Sequence, residues 1–331
     1  MSTFMAAPDP EVLSRVLARE LGEVSIGGIQ RVSGGASRET WLFDAVDTHG
    51  TTHGLVLRRD PGSRAGSSTD RATEFHLLDA AYRAGVPAPR VRLLLEPDDG
   101  LGHGFVMDRV AGETIARKLL RDDEFAGARR VATSQCGTIA AAIHRVPVET
   151  LPTLAVQGAA AQLDQWRALL DSLGEPHSAF ELALDWMADR MPAEPVTPSL
   201  VHGDFRNGNF IVDADGIRAV LDWELAHLGD PIEDLGWLCV RAWRFGSTLP
   251  VGGFGPVSEL LDAYERAGGR RPSDDELRFW IAAGTLKWGM ICLVQAFTHL
   301  NGIVRSVELA AIGRRVAENE YDILRVIDGK W

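Results

Sequence analysis

Val201-His202-Gly203-Asp204-Phe205-Arg206-Asn207-Gly208-Asn209-Phe210, followed by Val220-Leu221-Asp222-Trp223-Glu224, decides how this chain is read. The first run sets an aspartate, and five residues on an asparagine, directly after the apolar pair Leu200-Val201. The second closes the next apolar run with another aspartate. Between them Asp213-Ala214-Asp215-Gly216 signals a hairpin turn, flanked by Phe210-Ile211-Val212 and by Ile217 to Leu221. A short loop after a buried strand holds a side chain rigidly. This order suits phosphoryl transfer, in which a protein mostly positions groups and neutralises charge. Asp204 accepts the proton of a substrate hydroxyl. The amide oxygen of Asn209 and the carboxylate of Asp222 hold magnesium on nucleotide phosphates. The chain reads as a small-molecule kinase.

Composition sets the limits around that reading. At 331 residues the chain suits two lobes rather than one core. Hydrophobic residues make up 45% and charged residues 24%, the balance of a soluble globular protein. A formal net charge of −12 argues against nucleic acid as a partner, because phosphate backbones demand excess Lys and Arg. Cys136, Cys239 and Cys292 are far apart, show no metal-ligand spacing, and suggest free thiols in a reducing compartment. No signal peptide pattern opens the chain and no uncharged stretch reaches membrane-spanning length. A cytoplasmic location is expected, without a membrane partner, as a monomer or homodimer.

Upstream of the opening run, helical spacing over Glu11 to Leu21 gives way to strand-like segments at Ile26 to Val32, Thr40 to Val46 and Leu55 to Arg58. A helix follows from Asp70 to Ala84, stopped by Val86-Pro87-Ala88-Pro89. Val91 to Leu95 and Gly104 to Asp108 are two further strands. From Glu113 the texture is helical, with segments at Phe125 to His144, Ala159 to Leu173, Phe180 to Met191, Val257 to Ala267, Asp274 to Leu300 and Val304 to Ile327. Domains are therefore expected at 1–108, an antiparallel sheet with one inserted helix, and at 109–331, a larger helical part.

The stretch from Leu200 to Leu238 resembles the aminoglycoside phosphotransferase and choline kinase family. It is most similar to the phosphotransferase domains associated with acyl-CoA dehydrogenases. The residues that carry the resemblance are His202 to Phe210, Leu221 to Glu224, Gly229-Asp230-Pro231 and Asp234-Leu235-Gly236-Trp237. The resemblance implies an α+β, protein-kinase-like, two-lobed fold, with Asp204 as catalytic base and Asn209 and Asp222 as magnesium ligands. It places Ser33, Gly34, Gly35 and Ser37, in a turn rich in small residues, over the nucleotide phosphates. It aligns Arg58 with the lysine that kinases use on the α- and β-phosphates, and Glu74 with the partner of that cation. Arginine departs from the general kinase pattern; its planar fork keeps the charge and changes the geometry. Phe105 to Gly112 resembles the hinge, with Val106 and Met107 at the nucleotide base.

Other residues leave alternatives open. Arg206 either neutralises the transferring phosphate or pairs with a nearby carboxylate. Glu224 contacts metal or substrate, or forms an ion pair. Lys287 stands in the apolar run Ile281 to Phe297, and a buried lysine needs an anion. The cofactors expected are ATP, with GTP as the alternative, and Mg2+. The acceptor is a small-molecule hydroxyl, on a hydroxyacyl thioester or a related metabolite. The alternatives are an aminoglycoside or macrolide antibiotic as acceptor, and a catalytically silent nucleotide-binding regulator. An acyl-CoA acceptor would call for Arg and Lys, such as Arg241, Arg244 or Lys287.

Overall fold

A computed structural model of the chain describes residues 7–32, 39–60 and 70–331. It opens with α1 (Pro10–Leu21), which Asp9 caps by accepting a hydrogen bond from the Glu11 N–H. Proline sits at the first helical position, where its missing N–H costs nothing. Strands β1 (Val24–Arg31), β2 (Glu39–Asp47) and β3 (Thr52–Arg59), helix α2 (Arg71–Arg83), and strands β4 (Val91–Leu94) and β5 (Gly104–Asp108) follow. The strands form one antiparallel sheet in the order β1-β2-β3-β5-β4. Alternation in β2 turns Trp41, Phe43 and Ala45 to the core, against Leu13 and Leu17 of α1 and Leu55 and Leu57 of β3. Each fully buried Leu or Phe here contributes about 1.5–3 kcal/mol.

The remaining elements are α3 (Ala116–Arg121), α4 (Ala126–His144), α5 (Ala159–Leu173), α6 (Ser178–Ala188), β6 (Ser199–Val201), β7 (Phe210–Asp213), β8 (Gly216–Val220), β9 (His227–Gly229), α7 (Ile232–Leu238), α8 (Val257–Arg266), α9 (Asp274–Leu300), α10 (Val307–Gly313) and α11 (Val316–Ile327). β6 pairs antiparallel with β9, setting Leu200 opposite Leu228. Helices α4 and α8 cross closely at Gly137, where an added Cβ would lie 2.4 Å from the Leu260 carbonyl oxygen. By length and apolar composition α9 passes for a membrane span. Yet 72% of its most apolar window is buried inside the fold, with Phe279, Trp280 and Leu286 in the core, as in a central core helix.

One expectation changes. The single helix foreseen over Val304 to Ile327 is two, α10 and α11. Gly313 packs so close to α9 that an added Cβ would meet Ala296 Cβ at 2.7 Å, and the chain tightens there, with the Arg315 N–H returning to the Ile312 carbonyl. The chain divides into two compact units. The first unit is Met1–Gly112 with Glu149–Thr153 and Arg218–Leu225, and the second is the rest. The Val220 N–H donates to the Pro87 carbonyl at 2.8 Å, one of the bonds tying the later segment into the first unit.

Candidate active site

In the second unit, β6 delivers the chain into a loop held mainly by its backbone. The N–H groups of His202 and Gly203 both donate to Asp234 of α7, at 2.8 and 2.9 Å. Gly203 has φ 77°, a left-handed conformation that favours glycine. Asp234 is fully buried and also bonds His144 Nε2 at 3.1 Å. Burial alone would raise the Asp234 carboxyl; the bond from His144 and the loop N–H donors outweigh it and hold the carboxyl below its ordinary value. His202 is fully buried, and its Nδ1 accepts from the Asp204 N–H at 3.1 Å. It braces the loop.

Asp204 projects from this frame with its carboxylate gripped on both oxygens. Oδ1 accepts from Trp237 Nε1 and from Arg206 Nε, each at 2.9 Å. Oδ2 accepts from Asn209 Nδ2 at 2.5 Å, and the same nitrogen reaches the Asp204 carbonyl at 3.0 Å. Asn209 spends its amide nitrogen inside the loop, which leaves the oxygen as its ligating atom. Arg206 forms an ion pair with Asp204, its guanidinium 4.4 Å from the Trp243 ring centroid.

In the first unit, Arg58 of β3 bridges Glu74 of α2, at 3.0 Å, and Asp222, at 2.9 Å. Burial works against its charge, but Glu74 and Asp222 outweigh it and raise its pKa. Glu74 is fully buried and also pairs with Arg71, three residues earlier on α2, and Arg71 reaches Asp60 at 2.8 Å. Asp222 has φ 63°, rare for a residue other than glycine. Such a conformation costs about 1–3 kcal/mol and persists where the surroundings impose it. Its side chain is 44% exposed, so Arg58 does not enclose it. Glu224 adds its field to Arg58. The neighbouring Arg59 goes elsewhere, to a buried pair with Glu39 at 3.0 Å.

Ser33, Gly34, Gly35 and Ser37 lie outside the described residues. Val106 and Met107 stand in β5, flanked by β3 and β4, with both side chains buried. Sequence reasoning missed Arg71 and Trp237 as partners of site residues. The only signal for Arg71 was its position one helical turn before Glu74; none pointed Trp237 at Asp204.

Behind the loop, Glu233 of α7 accepts from Gln162 Nε2 at 2.7 Å and meets His227 Nε2 at 3.1 Å and Lys287 Nζ at 3.3 Å. Burial pushes its carboxyl up; Lys287, His227 and Gln162 prevail and bring it down to about 2, from an ordinary value of 4.5. A lowered folded-state pKa contributes stability that is complete above the unfolded value and is lost as pH falls towards the folded one. Glu233→Gln is therefore expected to flatten the loss of stability between pH 4.5 and about 2 in acid titrations followed by circular dichroism. An acid limb as steep as the wild type's would remove Glu233 from that loss.

The second unit also carries a cavity of about 1490 Å³. Among the described residues it is lined by eight cationic side chains, Arg241, Arg314 and Arg325 among them, against two acids, Glu318 and Asp322. The acids neutralise only part of this charge, through pairs with Arg315 at 3.1 Å and Arg241 at 3.3 Å. Phe245 stands on the wall, and an ideal Cβ on Gly208 would lie 4.0 Å from its ring, so the cavity adjoins the Asp204 loop. Arg241 and Arg244 belong to this lining, whereas Lys287 does not.

The sequence matches the Phosphotransferase enzyme family over residues 28–280. It is 29% identical over 258 residues to acyl-CoA dehydrogenase family member 10 of Mus musculus, covering 75% of this chain and 23% of that protein. The chain thus spans about a quarter of the relative's length. Among solved structures, a putative aminoglycoside phosphotransferase of Ralstonia eutropha superposes with a TM-score of 0.75 at 22% identity, over 97% of this chain and 98% of that one. A mutant of the aminoglycoside phosphotransferase APH(4)-Ia, in ternary complex with AMP-PNP and hygromycin B, gives 0.57 at 19%, over 96% and 97%. These likenesses show the protein-kinase-like fold.

Proposed function

We propose, from the premise that the chain belongs to the Phosphotransferase enzyme family, that it moves the terminal phosphoryl group of ATP onto a hydroxyl of a small metabolite. The observation that carries this reading is the Asp204 carboxylate, held by Trp237, Arg206 and Asn209 in a loop pinned at its backbone. Asp204 orients the acceptor hydroxyl and receives its proton as the new O–P bond forms; the bond from the terminal phosphorus to the departing ADP oxygen breaks. GTP can serve in place of ATP in the same chemistry. Asn209 offers an amide oxygen and Asp222 a half-exposed carboxylate, each a hard oxygen donor of the kind that suits magnesium. When bound, that ion neutralises charge on the phosphates. Arg58, oriented by Glu74, supplies a fixed cation for the nucleotide phosphates. The three cysteines are buried and free, which suits a cytoplasmic enzyme.

The basic cavity beside the loop favours an anionic acceptor, of which a hydroxyacyl thioester carrying a phosphorylated carrier is one. A polycationic aminoglycoside would meet repulsion there. Nucleotide consumption should therefore be highest with a hydroxyacyl-CoA, lower with the free hydroxy acid, and near background with an aminoglycoside. The double reversal Arg241→Glu with Arg325→Glu should raise the acceptor KM by about tenfold or more, a hydrogen bond to a charged group being worth about 1.5–3 kcal/mol, and leave the ATP KM unchanged. Aminoglycoside turnover matching that of the thioester would overturn this choice of acceptor.

A further inference from the structure

Lys287 sets a cation in the apolar middle of helix α9, where packing alone does not call for one. Its ammonium donates to the Gly203 carbonyl at 2.9 Å, pairs with Glu233 at 3.3 Å, and lies 4.9 Å from the centroid of the Trp237 ring. These contacts converge on Asp204. The Gly203 carbonyl belongs to the peptide that leads into Asp204, and the other face of Gly203, its N–H, is held by Asp234. Trp237, whose ring the ammonium faces, donates to the Asp204 carboxylate. Glu233, Asp234 and Trp237 all stand on α7, so Lys287 ties α9 to α7 at the point where α7 grips the loop. The counter-charge is itself fixed, since Gln162 and His227 occupy the other oxygen of Glu233.

We infer that Lys287 is a positioning residue for the transfer reaction: its ammonium locks the Gly203–Asp204 peptide and the Trp237 ring, and so sets the direction of the Asp204 carboxylate. A plain structural role would need only the Glu233 pair. The bond to a loop carbonyl, on a residue in the left-handed region, couples the cation to the geometry of the reacting group. This inference rests on the phosphotransferase reading for its kinetic consequence and not for its structural one.

The test uses the full chain with Lys287→Met and Lys287→Arg. Lys287→Met should lower kcat by about 10–100-fold, the scale of a small misplacement of a reacting group, with the ATP KM within about twofold. Amide hydrogen exchange at Asp204 and Phe205 should accelerate under conditions where thermal unfolding shows the protein folded. Lys287→Arg, which keeps the charge, should recover part of both. If Lys287→Met does not fold, Lys287→Gln carries the same comparison. A variant that only loses melting temperature, with wild-type kcat and wild-type exchange in the loop, overturns the inference. A wild type that consumes no nucleotide with any acceptor, while Lys287→Met still loosens the loop, sinks the phosphotransferase reading and leaves the brace standing.

Discussion

Asp204→Asn is expected to lower kcat for nucleotide-dependent transfer by about 10²–10⁴-fold, the usual contribution of a positioned general base. The substitution preserves size, so the loop stays folded on Asp234 and His202. It removes the proton acceptor; the Asn oxygen can still accept from Trp237 and Arg206, but the new side-chain NH2 faces the Asn209 Nδ2, donor against donor. One of them must turn away or go unsatisfied. On the proposed roles Asp204 acts on the acceptor hydroxyl and not on the base or the α- and β-phosphates, so the ATP KM should change little. Initial rates with saturating magnesium and ATP check this directly. A variant within a few-fold of wild type would take Asp204 out of the chemistry and favour the silent nucleotide-binding alternative.

Glu74→Ala should destabilise the protein by about 3–5 kcal/mol, the cost of removing one partner from a buried ion pair. Glu74 is wholly buried between Arg58 and Arg71, and both arginines are themselves nearly buried. Without it, two guanidinium groups share the remaining anions, Asp222 and Asp60. Urea denaturation measures the loss. The ATP KM should rise as well, since Arg58 would swing towards Asp222. A loss of only about 0–1 kcal/mol, the value of an exposed pair, would mean that Asp222 and Asp60 suffice to hold both arginines.

Much of this molecule is legible in the order of its residues. The Asp204-to-Asn209 spacing and the Asp213–Gly216 turn are local, and local geometry follows from short-range sterics and hydrogen bonding. β5, α5 and α9 start and end where alternation and helical periodicity place them, since each is bounded by turn residues and carries a strong pattern. The pairing of Arg58 with Glu74 is legible through family likeness, not through spacing. The break between α10 and α11 is not, because it depends on how close Gly313 comes to another helix.

What the residues themselves settled is the chemistry on offer: an aspartate and an asparagine on one short loop, a second aspartate after a hairpin, and a strand ending in two arginines with a helix bearing Glu74 ahead of them. Tertiary structure alone decided which donors grip which carboxylate oxygen, that Arg206 pairs with Asp204 while Lys287 reaches a backbone carbonyl, and that scattered arginines from α3, the segment after α7, the turn between α10 and α11, and α11 share one cavity. The reason is distance along the chain. Contacts between neighbours are dictated by local backbone preference, whereas Lys287 and Gly203 lie 84 residues apart and meet because packing of α9 against α7 brings a largely buried ammonium within reach of both the Glu233 carboxylate and the Gly203 carbonyl.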